Sequence, residues 1–173
     1  MTQKYILTGA PGSGKSSIIL ELERRGEYVV REAAEDVIKL AQAKGVEKPW
    51  INPGFQKEIL RFQIQREQRI HPDAKRAFID RGILDGLAYV KSESEIAREI
   101  LRQARKYDGV FLIENLGQTD INKIRREDHI AALELELKLR EIYAFAGYKV
   151  YKIPAGSVEE RADQILGMVG ERI

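Results

Sequence analysis

Lys4-Tyr5-Ile6-Leu7-Thr8-Gly9-Ala10-Pro11-Gly12-Ser13-Gly14-Lys15-Ser16-Ser17 begins as a β-prone apolar run, halts at a glycine and passes through a turn-rich segment. Lys4 to Thr8 reads as a short buried strand, cut by Gly9 with Pro11, Gly12 and Gly14 close behind. From Lys15 to Arg25 the residues Ile18, Ile19 and Leu22 recur at helical spacing, and Arg24 and Arg25 place cations near the negative helix end. Gly9 to Ser16 therefore satisfies G-x-x-x-x-G-K-[ST] in full, between a strand and a helix. Such a loop wraps backbone N–H groups of Gly9, Pro11–Ser17 and their neighbours around an anion, proline itself contributing shape and no donor. The positive pole of the helix adds to the attraction. Lys15 would set a point charge at the β- and γ-phosphates, and the Ser16 hydroxyl would ligate Mg²⁺.

Working outward, strands and helices alternate. Tyr28–Val30 predicts a second strand and Ala33–Lys44 a helix closed by Gly45. After the turn-rich stretch Lys48–Gly54, in which Trp50 is expected as a local packing anchor, a helix runs from Phe55 to about Ile70. Ala77–Asp80 is a third strand. Ser92 and Glu95 fit a capping box for the following helix, and Val110–Ile113 is a fourth strand. Leu133–Leu139 alternates with strand period, yet its residues are strong helix formers in a favourable stretch from Asp128 to Ala146, which predicts helix. Tyr148–Ile153 is a fifth strand, and Ser157 with Glu160 forms a second capping box before the last helix. This alternation predicts one doubly wound α/β domain with a parallel sheet over 1–173, because a parallel crossover needs a dozen or more residues. Ligands in such sheets bind beyond the carboxyl ends of the strands.

The residues just after each strand are thus the candidates for chemistry. Asp80 ends the third strand and could face a Mg²⁺ shell or take a proton from an attacking hydroxyl, while Arg81 could bind a substrate anion or a transferring phosphate. Asp85 is a candidate for substrate contact or for capping a turn. Glu32 follows the second strand and could contact substrate. Gln63, Arg66 and Glu67 share one helix face and could read a polar substrate, Gln63 and Arg66 in particular. Arg125 and Arg126, within a cationic segment of about 117–130, could close as a lid and stabilise developing charge.

Composition narrows the classes. The 173 residues include no cysteine and two histidines, which rules out disulfide frameworks, thiol nucleophiles and histidine-built metal sites. With 29 basic and 27 acidic residues the chain has no strong attraction for a polyanion, so nucleic acid is not expected as a partner. No segment approaches the ~20 apolar residues of a membrane span. The opening Met-Thr-Gln-Lys-Tyr lacks a signal-peptide core, and a soluble cytoplasmic protein is expected. A guanine switch would want Asn-Lys-x-Asp, whereas Asn122-Lys123-Ile124-Arg125 ends in a residue that cannot accept a hydrogen bond. ATP is the expected nucleotide.

The phosphate loop, Glu32-Ala33-Ala34, Phe55-Gln56 with Gln63 and Glu67, and Asp80-Arg81-Gly82 with Asp85, Ala88 and Tyr89 together form a wider pattern. Arg125-Arg126-Glu127, Gly147-Tyr148 and Ser157–Arg161 extend it over nearly the whole chain. It resembles the small AAA-type P-loop ATPases grouped with the nicotinamide riboside kinase domain. The resemblance implies a nucleoside-kinase-like core with five parallel strands in the order 2-3-1-4-5, Asp80 and Arg81 near an acceptor, and Arg125 and Arg126 in a short lid. It also implies that the loop 154–158 flanks the adenine. The expected activity is transfer of the γ-phosphoryl group of Mg²⁺-ATP to a small nucleoside- or riboside-like molecule; the alternative is a nucleotide-dependent regulatory ATPase without an acceptor.

Overall fold

The computed structural model describes residues 2–116 and 123–170, without the side chains of 123–128. Five strands, β1 (Gln3–Thr8), β2 (Tyr28–Val30), β3 (Arg76–Asp80), β4 (Gly109–Ile113) and β5 (Val150–Ile153), form one sheet in the order β2-β3-β1-β4-β5. Every pairing is parallel. The helices are α1 (Lys15–Arg24), α2 (Ala33–Ala43), α3 (Phe55–Gln68), α4 (Glu95–Gln103), α5 (Lys123–Phe145) and α6 (Val158–Gly170).

The apolar strand runs are explained by burial on both sheet faces. Side chains alternate across a strand, so Tyr5, Leu7, Phe78, Phe111 and Ile113 pack on one face against Ile18, Ile19 and Leu22 of α1 and Ile165 and Val169 of α6. Ile6, Ile79 and Val110 turn to the other face and meet Leu60 of α3, Ile100 of α4 and Tyr143 of α5. Each such fully buried side chain contributes roughly 1.5–3 kcal/mol, which fixes strand register: a one-residue slip would exchange the faces. The register that results sets Leu7 beside Asp80 and Thr8 beside Leu112, bringing the ends of β1 and β3 together.

Several local expectations are corrected. Ser94, not Ser92, caps α4: its Oγ accepts from the Ala97 N–H at 3.2 Å, while the Ser92 hydroxyl donates to Glu93. Ser94 wins because it immediately precedes the first helical residue. The expected box before α6 forms, with Glu160 N–H donating to Ser157 Oγ and Glu160 accepting from Ser157 N–H. Trp50, expected as a packing anchor, is 52% exposed in a single 3₁₀ turn, while Pro49 beside it is buried. The alternating stretch 133–139 is helical, and α5 starts at Lys123, five residues before the expected start. Its inward face carries Glu136, Leu139 and Tyr143, while Leu133 and Leu137 are exposed. β5 begins two residues late: the Tyr148 N–H is taken by the Tyr143 carbonyl at the end of α5, and its hydroxyl donates to the Arg105 carbonyl.

Candidate active site

Between β1 and α1 the chain takes three left-handed glycines, Gly9 (φ 142°), Gly12 (φ 77°) and Gly14 (φ 87°). Gly9 is required on a second count, since a Cβ there would lie 2.5 Å from the Ile113 carbonyl at the end of β4. Lys15 is folded back onto the loop, donating to Ala10 O at 2.9 Å and Ser13 Oγ at 3.2 Å. Burial, reinforced by Arg81 and opposed by Asp80, Glu32 and Asp85, lowers its pKa to about 8. Pro11 and Gly12 sit exposed at the tip and Ser13 is buried, while Ser16 and Ser17 are exposed in the first turn of α1.

Asp80 Oδ2 accepts from Ser16 Oγ at 3.0 Å, closing the loop onto the end of β3. Its other oxygen, Oδ1, is buried with no hydrogen-bond partner. Desolvation pushes the carboxyl up to about 6, against the pull of Lys15 and the Ser16 hydrogen bond. An orphan carboxylate oxygen beside a serine hydroxyl is a hard oxygen donor pair of the kind Mg²⁺ accepts, since that ion takes few protein ligands. Among the described residues no group of three or more His, Cys, Asp or Glu side chains could cage a metal ion.

Arg81 follows at φ 64°, a left-handed conformation rarely held by a residue with a side chain and one that persists only where neighbours over-determine it. Its N–H donates to Leu7 O at 3.0 Å, and its carbonyl accepts from Gln63 Nε2 at 3.0 Å. The guanidinium lies 3.1 Å from Glu32 and 3.5 Å from Asp85. Burial works against its charge, but Asp85, Tyr89, Glu32 and Asp80 outweigh that and hold it firmly protonated. Asp85 is itself buried, accepting from Thr8 Oγ1 at 2.7 Å, Gly82 N–H at 3.0 Å and the Tyr143 hydroxyl.

Beside this cluster opens a cleft of about 240 Å³. Glu32, Arg81, Gln63 and Asp85 give it polar and charged lining; Pro11 of the phosphate loop, Ile38, Phe55, Ile59, Tyr89 and Ile100 supply the apolar part. A larger groove of about 820 Å³ between α3 and α4 contains no phosphate-loop residue.

The expected residues are thus sorted. Lys15, Ser16, Asp80, Arg81, Glu32 and Asp85 converge, but with a division of labour: Asp80 faces the loop serine and is not part of the cleft lining, whereas Glu32 is. Gln63 lines the cleft with its nitrogen already donated to Arg81 O and to Glu67, so only its oxygen remains to face a ligand. Arg66 does not reach the cleft: its guanidinium donates to the carbonyls of Arg31 and Glu32 and pairs with Asp36, tying β2 to α2. The side chains of Arg125 and Arg126, and residues 117–122 of the expected lid, lie outside the described residues. Sequence reasoning missed Thr8 and Tyr143, which hold Asp85, and the grip of Arg161 on the loop. A hydroxyl at a strand end and a tyrosine inside a helix carry no local signature.

A family model described as AAA domain matches residues 4–161. The chain belongs to that AAA domain family. No curated protein matches it significantly in sequence. Among solved structures it is similar to the NadR protein in complex with NR, with a TM-score of 0.74 at 16% identity over 98% of this chain and 50% of that one. This AAA domain chain therefore spans about half the length of NadR, which has also been solved with NAD and AMP-PNP. Thymidylate kinase from Candida albicans aligns over 99% of this chain and 92% of its own, with a TM-score of 0.65 at 11% identity. Deoxyadenosine kinase from M. mycoides, solved with the products dCMP and dCDP, gives a TM-score of 0.57 at 14% identity over 99% and 100%. The fold is that of the nucleoside-kinase-like P-loop proteins.

Proposed function

We propose that this chain is a P-loop kinase that transfers the γ-phosphoryl group of Mg²⁺-ATP to a hydroxyl of a small nucleoside- or riboside-like acceptor. The observation that carries the reading is the cleft: it opens beside the phosphate loop and joins apolar walls suited to a flat ring with a carboxylate and a guanidinium. Similarity in fold to kinases of nucleosides and nucleotides supports it.

Lys15 would swing from Ala10 O onto the β- and γ-phosphates, and Ser16 with Asp80 would hold Mg²⁺, which when bound neutralises charge between those phosphates. Glu32 is better placed than Asp80 to serve as general base, because it borders the cleft while Asp80 is engaged with Ser16. Glu32 would take the acceptor's hydroxyl proton as that oxygen bonds to the γ-phosphorus and the bond to the departing ADP breaks. Arg81 would steady the carboxylate and offer its charge to the transferring group. Arg125 and Arg126 would complete the site as the lid closes and excludes water.

Incubation with Mg²⁺-ATP and a panel of nucleosides and ribosides tests this. A phosphorylated acceptor and ADP in equal amounts are expected; release of inorganic phosphate alone with every acceptor would refute it in favour of an ATPase.

A further inference from the structure

Arg161, in the first turn of α6, is 1% exposed and is the largest fully buried side chain among the described residues. Its two terminal nitrogens donate to main-chain carbonyls, Ser13 O of the phosphate loop at 2.8 Å and Glu114 O just beyond β4 at 2.8 Å. Its Nε is buried without a partner. The other shielded arginines are answered by carboxylates: Arg81 by Glu32 and Asp85, Arg76 by Glu27, Arg25 by Glu21 and Asp163. Arg161 has no ion pair among the described residues. The nearby Glu114 carboxylate is directed to Lys152 at 2.6 Å and to the Ala155 N–H at 3.2 Å.

A buried cation whose hydrogen bonds among the described residues go to carbonyls, with the nearby Glu114 carboxylate bound elsewhere, is costly, and such charges are ordinarily compensated. Its position says what the compensation is. A Cβ built on Gly14 would come within 3.0 Å of the guanidinium, so Arg161 lies directly beneath the loop. Across a trans peptide the C=O and N–H point opposite ways; fixing the Ser13 carbonyl onto Arg161 therefore turns the Gly14 N–H toward the opposite side of the loop and polarises it. We propose that Arg161 is a positioning residue for the polyphosphate, a buried counter-charge that acts through the Ser13–Gly14 peptide and is balanced when the phosphates bind. It does not touch the ligand. The proposal rests on the triphosphate reading of the loop, though not on any acceptor.

The test compares wild type, Arg161→Met and Arg161→Lys by titration with inorganic tripolyphosphate and by thermal unfolding without ligand. Arg161→Met removes the charge at similar length. It is expected to weaken tripolyphosphate binding about tenfold; because it also strips the Ser13 and Glu114 carbonyls of their donor, its thermal unfolding without ligand serves only to establish that the variant is folded. Arg161→Lys keeps the charge and is expected to bind within about threefold of wild type. A Met variant that binds as tightly as wild type, or a Lys variant that loses as much as Met, would overturn the proposal. Should the Met variant not fold, the Lys variant decides: retention supports the counter-charge, and a tenfold loss shows a purely geometric clamp. Absence of tripolyphosphate binding by wild type is a different result, and it removes the triphosphate reading itself.

Discussion

The phosphate loop and the neighbouring cleft are built in opposite ways. The loop is one contiguous run whose backbone does the work, with glycines at Gly9, Gly12 and Gly14 wherever the chain turns left-handed. The cleft draws Glu32 from the end of β2, Phe55 to Gln63 from α3, Arg81 to Tyr89 from the segment after β3, and Ile100 from α4. An anion grip can be specified locally because it uses main-chain N–H groups and one lysine. An acceptor site needs shape, and shape comes only from packed elements.

The largest effect expected is from Lys15→Ala, which removes the one charged side chain of the Gly9–Ser16 loop. Turnover measured by coupled ADP release should fall by about a thousandfold. Since Lys15 has its pKa lowered to about 8 by burial, nucleotide affinity in wild type should also weaken as pH rises through that value, and the variant should lose this dependence. Next come the two carboxylates, which separate the regions. Glu32→Gln should lower kcat about a hundredfold while leaving ATP binding by calorimetry within a few-fold. Asp80→Asn should instead abolish the benefit of Mg²⁺ on nucleotide binding. If both variants behaved alike, the division between loop and cleft would be lost.

Asp80 also gives a stability signature. A carboxyl whose folded pKa is raised to about 6 by burial stabilises the fold most fully below its unfolded value, and that contribution is lost as pH rises through the folded pKa. Asp80→Asn without ligand should therefore melt higher than wild type at pH 7.5, with the gap closing toward pH 4, as read by thermal unfolding. The smallest effects belong to the supporting shell. Tyr143→Phe removes one donor to Asp85 and should cost about 1 kcal/mol in denaturant unfolding. Arg66→Ala should cost a similar amount with the acceptor KM unchanged, because Arg66 braces the carbonyls of Arg31 and Glu32 and does not itself line the cleft. A large rise in KM on this change would put Arg66 back into the site.

These contrasts also explain what could be read in advance. The doubly wound sheet was legible because buried parallel strands and amphipathic helices leave distinct periods, and the phosphate loop because its conformation is encoded residue by residue. Strand order came with the family pattern, not with the periods. The 133–139 stretch shows how period can mislead: the exposed Leu133 and Leu137 give apolar alternation on a helix whose inward side carries Glu136, Leu139 and Tyr143. Gln63 and Arg66 share a helix face in the sequence, but a three-residue step of about 300° separates them enough that one borders the cleft and the other the β2–α2 corner. The link Thr8–Asp85–Tyr143 spans three distant segments. Arg161 reaches the loop across 148 residues, and that no carboxylate among the described residues pairs with it is visible only once the chain is folded.

Whether the loop and the cleft serve one transfer is read most directly by phosphorus NMR of a single turnover with Mg²⁺-ATP and a nucleoside or riboside panel. The account predicts a new phosphate-ester resonance growing as the γ-phosphate signal decays, absent in Lys15→Ala and strongly slowed in Glu32→Gln. Decay of the γ-signal into inorganic phosphate alone, at a rate indifferent to Glu32, would contradict it.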